Sequence, residues 1–247
     1  MRSLGLSDRP VSEWSAKAKA QVMESFHGSF NALEHYVAQG EADGKLVFAK
    51  EHCNFLEVPS SPLDTKAFTV QLPDRYAKPG DVVSVGNPTV LPDEFLRSWI
   101  PIFLIRHPAR LFPSLCRALL EFHRMSLRGT RRLYDWYAND IRSRGSPSDP
   151  ILLDSDDVIN ETGVIEQLPA QESKLAQASS SDDLFLDTLM TSSGIQSDKV
   201  AGNINIDEEA IKWRADFGDA VGALVERCVK EAMLDYNHLK STRLLGV

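Results

Sequence analysis

The sequence predicts an α/β fold in which helices flank a reduced, mainly parallel sheet and the C-terminal third is helical. Two observations indicate this class. Short apolar runs alternate with longer amphipathic stretches, as in strands that are connected through helices. Near the C-terminus the apolar residues recur at helical spacing only. Three or four strands are visible, which is few for a doubly wound sheet and indicates that part of the usual sheet is absent.

The first half of the chain contains one long helix and several short elements. Residues 12–39 predict an amphipathic helix, because apolar side chains recur at steps of three and four, and Ser12 is placed to cap it. The segment KLVFA at 45–49 predicts a short strand. We expect a second strand at 82–85 and a short helix at 92–98.

The second half alternates strand and helix before it becomes helical. In chain order the sequence predicts a strand at 101–105, helices at 109–125 and 130–143, a strand at 151–154, and a helix at 156–168 that Asp156 or Asp157 caps. Residues 169–205, rich in Ser, Asp and Gln, predict a mobile insertion or lid within a single domain spanning 1–247. A long C-terminal helix is expected over 207–240.

Composition restricts the class of protein and its partners. The 43% of hydrophobic and 25% of charged residues are typical of a globular protein, and no apolar run approaches the roughly 18 residues of a membrane span. The lack of an apolar leader and the three widely spaced cysteines favour reduced thiols and a cytoplasmic location. A net charge of −8 argues against nucleic acid as a partner.

Basic residues concentrate around the predicted strand 101–105 and the helices that follow. Between residues 97 and 132 the sequence has eight arginines, no lysine and one acidic residue, although the whole chain is acidic. Anions bind where a strand ends and the next helix begins. The sequence therefore predicts an anion- or substrate-binding site formed by Arg106, His107, Arg110, Ser114 and Arg117. The alternative is a core strand followed by a surface helix whose arginines are solvated.

A second candidate site follows the predicted strand at 45–49. Lys50 and His52 are two residues apart at its end, so their side chains would project to the same side. His52 is suited to act as a general base, because the imidazole pKa lies near neutrality, and Lys50 is suited to hold an anionic leaving group. The alternative is an ordinary strand end. Cys53 fits a small buried hydrophobe better than a nucleophile, and no metal site is predicted.

These two sites together resemble the sulfotransferase family. That family has a strand ending in Lys-x-His, whose His is the catalytic base, and a later strand ending in Arg, with a Ser eight residues on. The Arg and Ser hold the 3′-phosphate of the sulfate donor PAPS. Lys50-Glu51-His52 matches the first motif, and Arg106 with Ser114 matches the second. Over residues 40–165 the chain looks like fungal sulfotransferase-like proteins, some of which accompany polyketide and other secondary-metabolite gene clusters.

One motif of that family does not occur in this sequence. The loop Ser/Thr-x-Pro-Arg/Lys-Ser-Gly/Ala-Ser/Thr, which grips the 5′-phosphosulfate, is not found before Lys45, and the chain has no Walker-type GxxxxGK(S/T). The resemblance therefore implies a sulfotransferase-like fold without its first βα unit. We expect helix 12–39, or a second copy in a homodimer, to cover the flank that this loss would expose.

The resemblance leaves three functions open. The first is a tailoring enzyme that needs neither PAPS nor another cofactor. In it His52 removes a proton from a polyketide-type small molecule, and Arg106 or Lys50 stabilises the enolate or carboxylate oxygen, for example in enolisation and lactonisation to a pyrone. The second is a PAPS-dependent sulfotransferase. The third, from another class, is a non-catalytic binding or scaffold protein.

Overall fold

The protein divides into two compact units in a computed structural model that describes residues 11–57, 86–119, 125–146, 149–160 and 202–244. The first unit comprises Met1–Ile100 and Arg132–Ser148, and the second comprises Pro101–Arg131 and Asp149–Val247. A small parallel sheet flanked by helices and a helical C-terminal region confirm the predicted α/β class.

The described elements follow one another as short helices and strands between longer helices. In chain order they are a 3₁₀ turn (Val11–Glu13), α1 (Ala16–Ala42), α2 (Cys53–Leu56), α3 (Asp93–Arg97), β1 (Ile102–Ile105), α4 (Pro108–Leu119), α5 (Arg128–Ser143), β2 (Ile151–Asp154), α6 (Ser155–Asn160), α7 (Ile206–Phe217) and α8 (Asp219–Ser241). Both strands of the sheet and helices α3 to α6 begin within two residues of the predicted positions. The continuation of the predicted helix 156–168 beyond residue 160 lies outside the described residues.

The long first helix begins later than predicted. The hydroxyl of Ser15 accepts the backbone N–H of Ala18 (3.2 Å), so Ser15 caps α1 and Ser12 does not. Ser12 lies in the 3₁₀ turn that ends before the helix starts. The turn satisfies its own backbone, since the N–H of Trp14 donates to the carbonyl of Val11, and the chain then restarts as α1.

The strand predicted at 45–49 is absent. Residues 45–52 form neither helix nor strand, and Leu46 and Phe48 are 72% and 71% exposed. A strand is stable only when a neighbouring chain satisfies its backbone N–H and C=O groups. No described strand lies beside this segment, so its local β propensity is not realised. The strand predicted at 82–85 lies outside the described residues.

Helices α3 and α5 are joined by buried polar contacts in the first unit. The Arg97 guanidinium donates from Nε and Nη2 to Oδ1 of Asp140, at 3.0 and 2.7 Å. The hydroxyl of Tyr137 donates to the carbonyl of Leu96 (3.0 Å). The turn before α3 is held by Asn87, whose amide donates to the carboxylate of Asp93 (2.8 Å). These contacts position the YDWY segment of α5 as buried core.

The sheet of the second unit consists of two parallel strands in a defined register. Ile102 pairs with Ile151, and Ile105 pairs with Asp154. Phe103 and Ile105 are buried, whereas Ile102 and Leu104 on the other face of β1 are exposed. In the described structure β1 is therefore buried on one face only.

The helix predicted over 207–240 is two helices. Gly218 has φ +81°, a left-handed conformation that glycine adopts without steric cost, and α7 ends there before α8 begins. The two helices pack with α4 around a core of Phe112, Cys116, Trp213, Val225 and Val229. The predicted insertion at 169–205 lies almost wholly outside the described residues.

Two glycine-to-alanine changes should have opposite effects on stability, because one glycine lies where α7 and α8 approach closely and the other lies on an open face of α1. A Cβ at Gly222 would lie 2.6 Å from the Cα of Arg214, so we expect Gly222→Ala to lower the free energy of unfolding by about 1–3 kcal/mol. A Cβ at Gly28, inside α1, meets nothing within 4 Å, so Gly28→Ala should raise it by about 0.5–1 kcal/mol. Urea unfolding followed by circular dichroism measures both. Stabilisation by Gly222→Ala would contradict the helix contact.

Candidate anion-binding site

The carboxyl ends of the two parallel strands meet at one edge of the sheet. β1 ends at Ile105, opposite Asp154, the last residue of β2. Arg106 and His107 follow β1, and Pro108 opens α4, so only two residues separate the strand from the helix N-terminus. The unpaired N–H groups and the dipole of a helix N-terminus favour a negatively charged ligand.

His107 holds the first turn of α4. Its Nδ1 accepts the backbone N–H of Ala109 (3.1 Å), so the neutral ring carries its proton on Nε2. The ring is buried and lies edge-on to the ring of Tyr236, with centroids 5.0 Å apart. Burial lowers the pKa of His107 below its ordinary 6.5, although Asp156 acts in the opposite direction. The imidazole is therefore neutral at pH 7.

Four of the eight arginines between residues 97 and 132 pair with carboxylates, and Arg124 lies outside the described residues. Ion pairs join Arg97 to Asp140, Arg117 to Asp216, Arg131 to Asp235 and Arg132 to Glu57. The guanidiniums of Arg106, Arg110 and Arg128 make no hydrogen bond or ion pair with a described residue, but Arg128 is exposed, whereas Arg106 and Arg110 are half-buried. The Nε of Arg110 is buried and has no hydrogen-bond partner there. Among the described arginines of this range, the two at the start of α4 therefore combine partial burial with the lack of an ion pair to a described residue.

These two guanidiniums place positive charge in a half-buried position without an ion pair to a described residue. Burial lowers the pKa of Arg106, and the nearby Arg110 lowers it further, while Asp156 acts in the opposite direction. A guanidinium stays protonated in proteins, so the repulsion between the two charges remains. An oxyanion bound beside them would relieve that repulsion and would accept their N–H groups in the forked geometry that arginine offers.

Ser114 and Arg117 lie further along α4. Ser114 is four residues after Arg110, so both residues share one face of the helix, and its side chain is exposed. Arg117 lies 2.6 Å from the carboxylate of Asp216, and its guanidinium stands over the ring of Phe217. Of the predicted anion-binding residues, Arg117 is therefore the one that a carboxylate of the protein already engages.

A buried carboxylate that sequence reasoning missed ties α8 to the sheet. Asp154 is 0% exposed; its Oδ2 accepts the hydroxyl of Tyr236 (2.7 Å) and lies 3.3 Å from Nζ of Lys240. Its Oδ1 accepts the N–H of Asp156 (3.1 Å), so Asp154 has the capping role predicted for Asp156 or Asp157. Burial raises the pKa of Tyr236, and the hydrogen bond to Asp154 raises it further. The available sequence signal was the four-residue spacing of Tyr236 and Lys240, which share a helix face.

Lys50 and His52 belong to the first unit, whereas the guanidinium pair belongs to the second. His52 immediately precedes α2; the side chain of Lys50 is exposed, and the ring of His52 is largely exposed but in part covered by protein. Partial burial lowers the pKa of His52, and the ammonium of Lys50 lowers it further. The imidazole is therefore neutral at pH 7 and suited to accept a proton, although the strand end on which the pair was predicted is not formed.

Two kinds of site are absent from the part of the chain that the structure describes. It contains no group of three or more His, Cys, Asp or Glu side chains arranged to hold a metal ion. It also contains no helix with the length and apolar character that crossing a bilayer requires.

Two fungal proteins are similar to this chain over most of its length. A protein of Metarhizium rileyi named Sulfotransferase ppzF is 34% identical over an alignment of 281 residues, which covers 96% of this chain and 81% of that protein. The Sulfotransferase ppzF of Metarhizium majus has the same identity and coverage. No family model matches the chain, and no solved structure matches it.

The cap formed by His107 predicts how two substitutions differ in stability. His107→Ala removes the acceptor of the Ala109 N–H and should lower the free energy of unfolding by about 1 kcal/mol. His107→Asn offers another acceptor and should retain most of that stability. The stability of wild type relative to His107→Asn should also fall as the pH drops below about 6.5, because the unfolded chain protonates before the folded one. Urea unfolding over a pH series tests this, and equal losses in both variants would contradict it.

The coupling of Lys50 to His52 predicts a shift in a histidine titration. Lys50→Met removes the ammonium, so the pKa of His52 should rise towards its ordinary value without reaching it, because burial is the larger cause. An NMR titration of the His52 ring proton measures this. Lys45→Met is the matched control, since the Lys45 ammonium lies 2.9 Å from Asp43 and should leave the pKa of His52 unchanged. A shift of the same size in both variants would rule out the local coupling.

Proposed function

Because this chain belongs to the sulfotransferase-like family that includes the two Metarhizium proteins, we propose that it is an enzyme that modifies a small anionic molecule. One observation carries the proposal. Arg106 and Arg110 are half-buried at the carboxyl end of β1, beside the N-terminus of α4, and neither guanidinium forms an ion pair or hydrogen bond with a described residue. A ligand oxyanion is the group that this arrangement accommodates.

The chemical step of the proposal rests on Lys50 and His52. A neutral imidazole removes a proton from the substrate, and the neighbouring ammonium stabilises the oxygen on which negative charge develops. A polyketide-type substrate suits this chemistry, for example through enolisation and lactonisation to a pyrone. Enolisation moves a proton, and in lactonisation the enol oxygen attacks a carboxyl or thioester carbon of the substrate, forming the ring C–O bond as water or a thiol leaves. These steps require no PAPS or other cofactor.

A second candidate function is PAPS-dependent sulfuryl transfer. It is favoured by the printed name of the two relatives and by the eight-residue spacing of Arg106 and Ser114 across the start of α4. Arg106 and Ser114 would hold a phosphate, and His52 would take the proton of the acceptor hydroxyl. PAPS would supply the sulfuryl group.

The proposed anion site predicts that Arg106, in the loop before α4, contributes more to ligand binding than Arg117 within α4. Arg106→Ala should weaken the binding of phenyl sulfate at least tenfold, because it removes a guanidinium that no described carboxylate engages. Arg117→Ala is the matched control and should change the dissociation constant less than twofold, since Arg117 pairs with Asp216. Ligand-observed NMR gives the dissociation constants, and circular dichroism verifies folding. Equal effects of the two substitutions would contradict the site.

Calorimetric titration with adenosine 3′,5′-bisphosphate separates the two candidate functions. Micromolar binding that both Arg106→Ala and Ser114→Ala abolish would favour sulfuryl transfer. Binding of phenyl sulfate without measurable binding of the bisphosphate would favour the proton-transfer enzyme. In that case His52→Gln should cause an uncyclised precursor to accumulate in the producing organism. Unchanged product formation with His52→Gln would overturn the proposed role of His52.

A further inference from the structure

His107, the last residue before α4, engages the backbone N–H groups of the first turn of that helix. Pro108, which opens the helix, has no N–H. The N–H of Ala109 donates to the imidazole Nδ1 (3.1 Å). The N–H groups of Arg110 and Leu111 donate to the carbonyl of His107, at 2.9 and 3.0 Å. The guanidiniums of the candidate site, rather than backbone N–H groups of this turn, are therefore the donors offered to a ligand.

The position of both guanidiniums depends on His107. Arg106 is its direct neighbour in the chain, and Arg110 is tied to it by a backbone hydrogen bond. Only two residues separate β1 from α4, so few other torsions are available to compensate for a displacement of His107. A rotation of the imidazole that breaks its hydrogen bond with Ala109 would loosen the first turn and let both guanidiniums move.

A tyrosine of α8 packs against this imidazole. The ring of Tyr236 lies edge-on to the ring of His107, with centroids 5.0 Å apart and planes inclined at 67°. Its hydroxyl donates to Oδ2 of Asp154 (2.7 Å) and accepts Nζ of Lys240 (3.1 Å). Burial raises the pKa of Tyr236, and the hydrogen bond to Asp154 raises it further. The hydroxyl therefore keeps its proton and acts as a donor to Asp154 rather than as a base.

Asp154 attaches the tyrosine to the sheet directly beside the loop. It pairs with Ile105, the last residue of β1, and its side chain has no exposure to water. The contacts return to their starting point, because Tyr236 binds Asp154 and packs on His107, which lies two residues after Ile105. Each contact in such a closed set restricts the others, whereas a loop without them is free to sample more conformations.

We propose that Tyr236 is a positioning residue of the anion site, and that it holds the imidazole of His107 in the orientation that caps α4. Through this cap it fixes the two guanidiniums at which the ligand oxyanion binds. The inference rests on the anion site of the proposed function and adds a residue that orders it. Tyr236 acts from behind the site, since its side chain is buried and its hydroxyl is engaged by Asp154.

Tyr236→Phe tests this role, because it removes the hydroxyl and keeps the ring. Without the bond to Asp154 the ring is held by packing alone, so the dissociation constant of phenyl sulfate should rise about three- to tenfold. Tyr137→Phe is the matched control. It removes another buried hydroxyl, which donates to the carbonyl of Leu96, and should change the constant less than about twofold. Ligand-observed NMR gives the constants, and circular dichroism verifies folding.

Hydrogen exchange separates positioning from a loss of stability alone. In Tyr236→Phe the amide of Ala109 should exchange at least about threefold faster, because the cap that protects it is loosened. The amides in the middle of α4 should change less. A loss of stability alone would accelerate exchange along the whole helix, and Tyr137→Phe should not accelerate it at Ala109 in particular.

A double variant establishes whether the effect passes through His107. His107→Asn offers the Ala109 N–H another acceptor without an aromatic ring, so its cap does not depend on Tyr236. This variant should still bind phenyl sulfate. Adding Tyr236→Phe to it should change the dissociation constant less than about twofold, although the same substitution weakens binding in the wild type.

The outcomes distinguish this inference from the proposed function. If Tyr236→Phe leaves the binding of phenyl sulfate unchanged, or if Tyr137→Phe weakens it as much, the positioning role is overturned while the anion site stands. If Tyr236→Phe weakens binding equally in the His107→Asn background, the effect does not pass through His107 and the inference is also overturned. If the wild type does not bind phenyl sulfate, the anion site itself is wrong, and the role assigned to Tyr236 falls with it.

Discussion

A carboxylate without exposure to water, Asp154 at the end of β2, is the constraint on which the second unit depends. Moving a carboxylate out of water is costly unless charged and hydrogen-bonding groups of the protein replace the water. Tyr236 and Lys240, one turn apart on α8, supply those groups. The C-terminal helix must therefore end beside the carboxyl edge of the sheet. The backbone extends this contact, since the N–H of Leu244 donates to the carbonyl of Leu152.

The candidate site is a consequence of how charges are distributed at that edge. Cations of the C-terminal segment balance Asp154 and Asp157, so these carboxylates do not compensate the arginines that follow β1. Helix α7 engages Arg117 through Asp216, whereas Arg106 and Arg110 form no ion pair with a described residue. A count of arginines in the sequence cannot separate those that form ion pairs from those that do not, because the partners lie 43 to 104 residues away in the chain.

In the first unit, a local sequence pattern predicts an element that the structure does not form. The segment before Lys50 has the composition of a strand, yet it is exposed and unpaired in the described structure, because strand formation depends on a neighbour as much as on propensity. The chemistry expected of His52 depends less on that strand. Its lowered pKa comes from partial burial and from the ammonium of Lys50, which is two residues away in the chain. Lys50 and His52 therefore influence each other although the strand predicted before them is not formed.

Local sequence was sufficient to predict the helices and strands whose signal is contained within a few residues. β1, β2 and the helices that follow them were predictable from apolar runs, prolines and periodicity, and so was the strand-to-helix junction that carries Arg106 and His107. The break at Gly218, the cap at Ser15 and the buried Asp154 were not, because each depends on backbone conformation or on partners distant in sequence. Which carboxylates balance which cations was likewise decided by folding, since only tertiary packing sets the distances over which charges act.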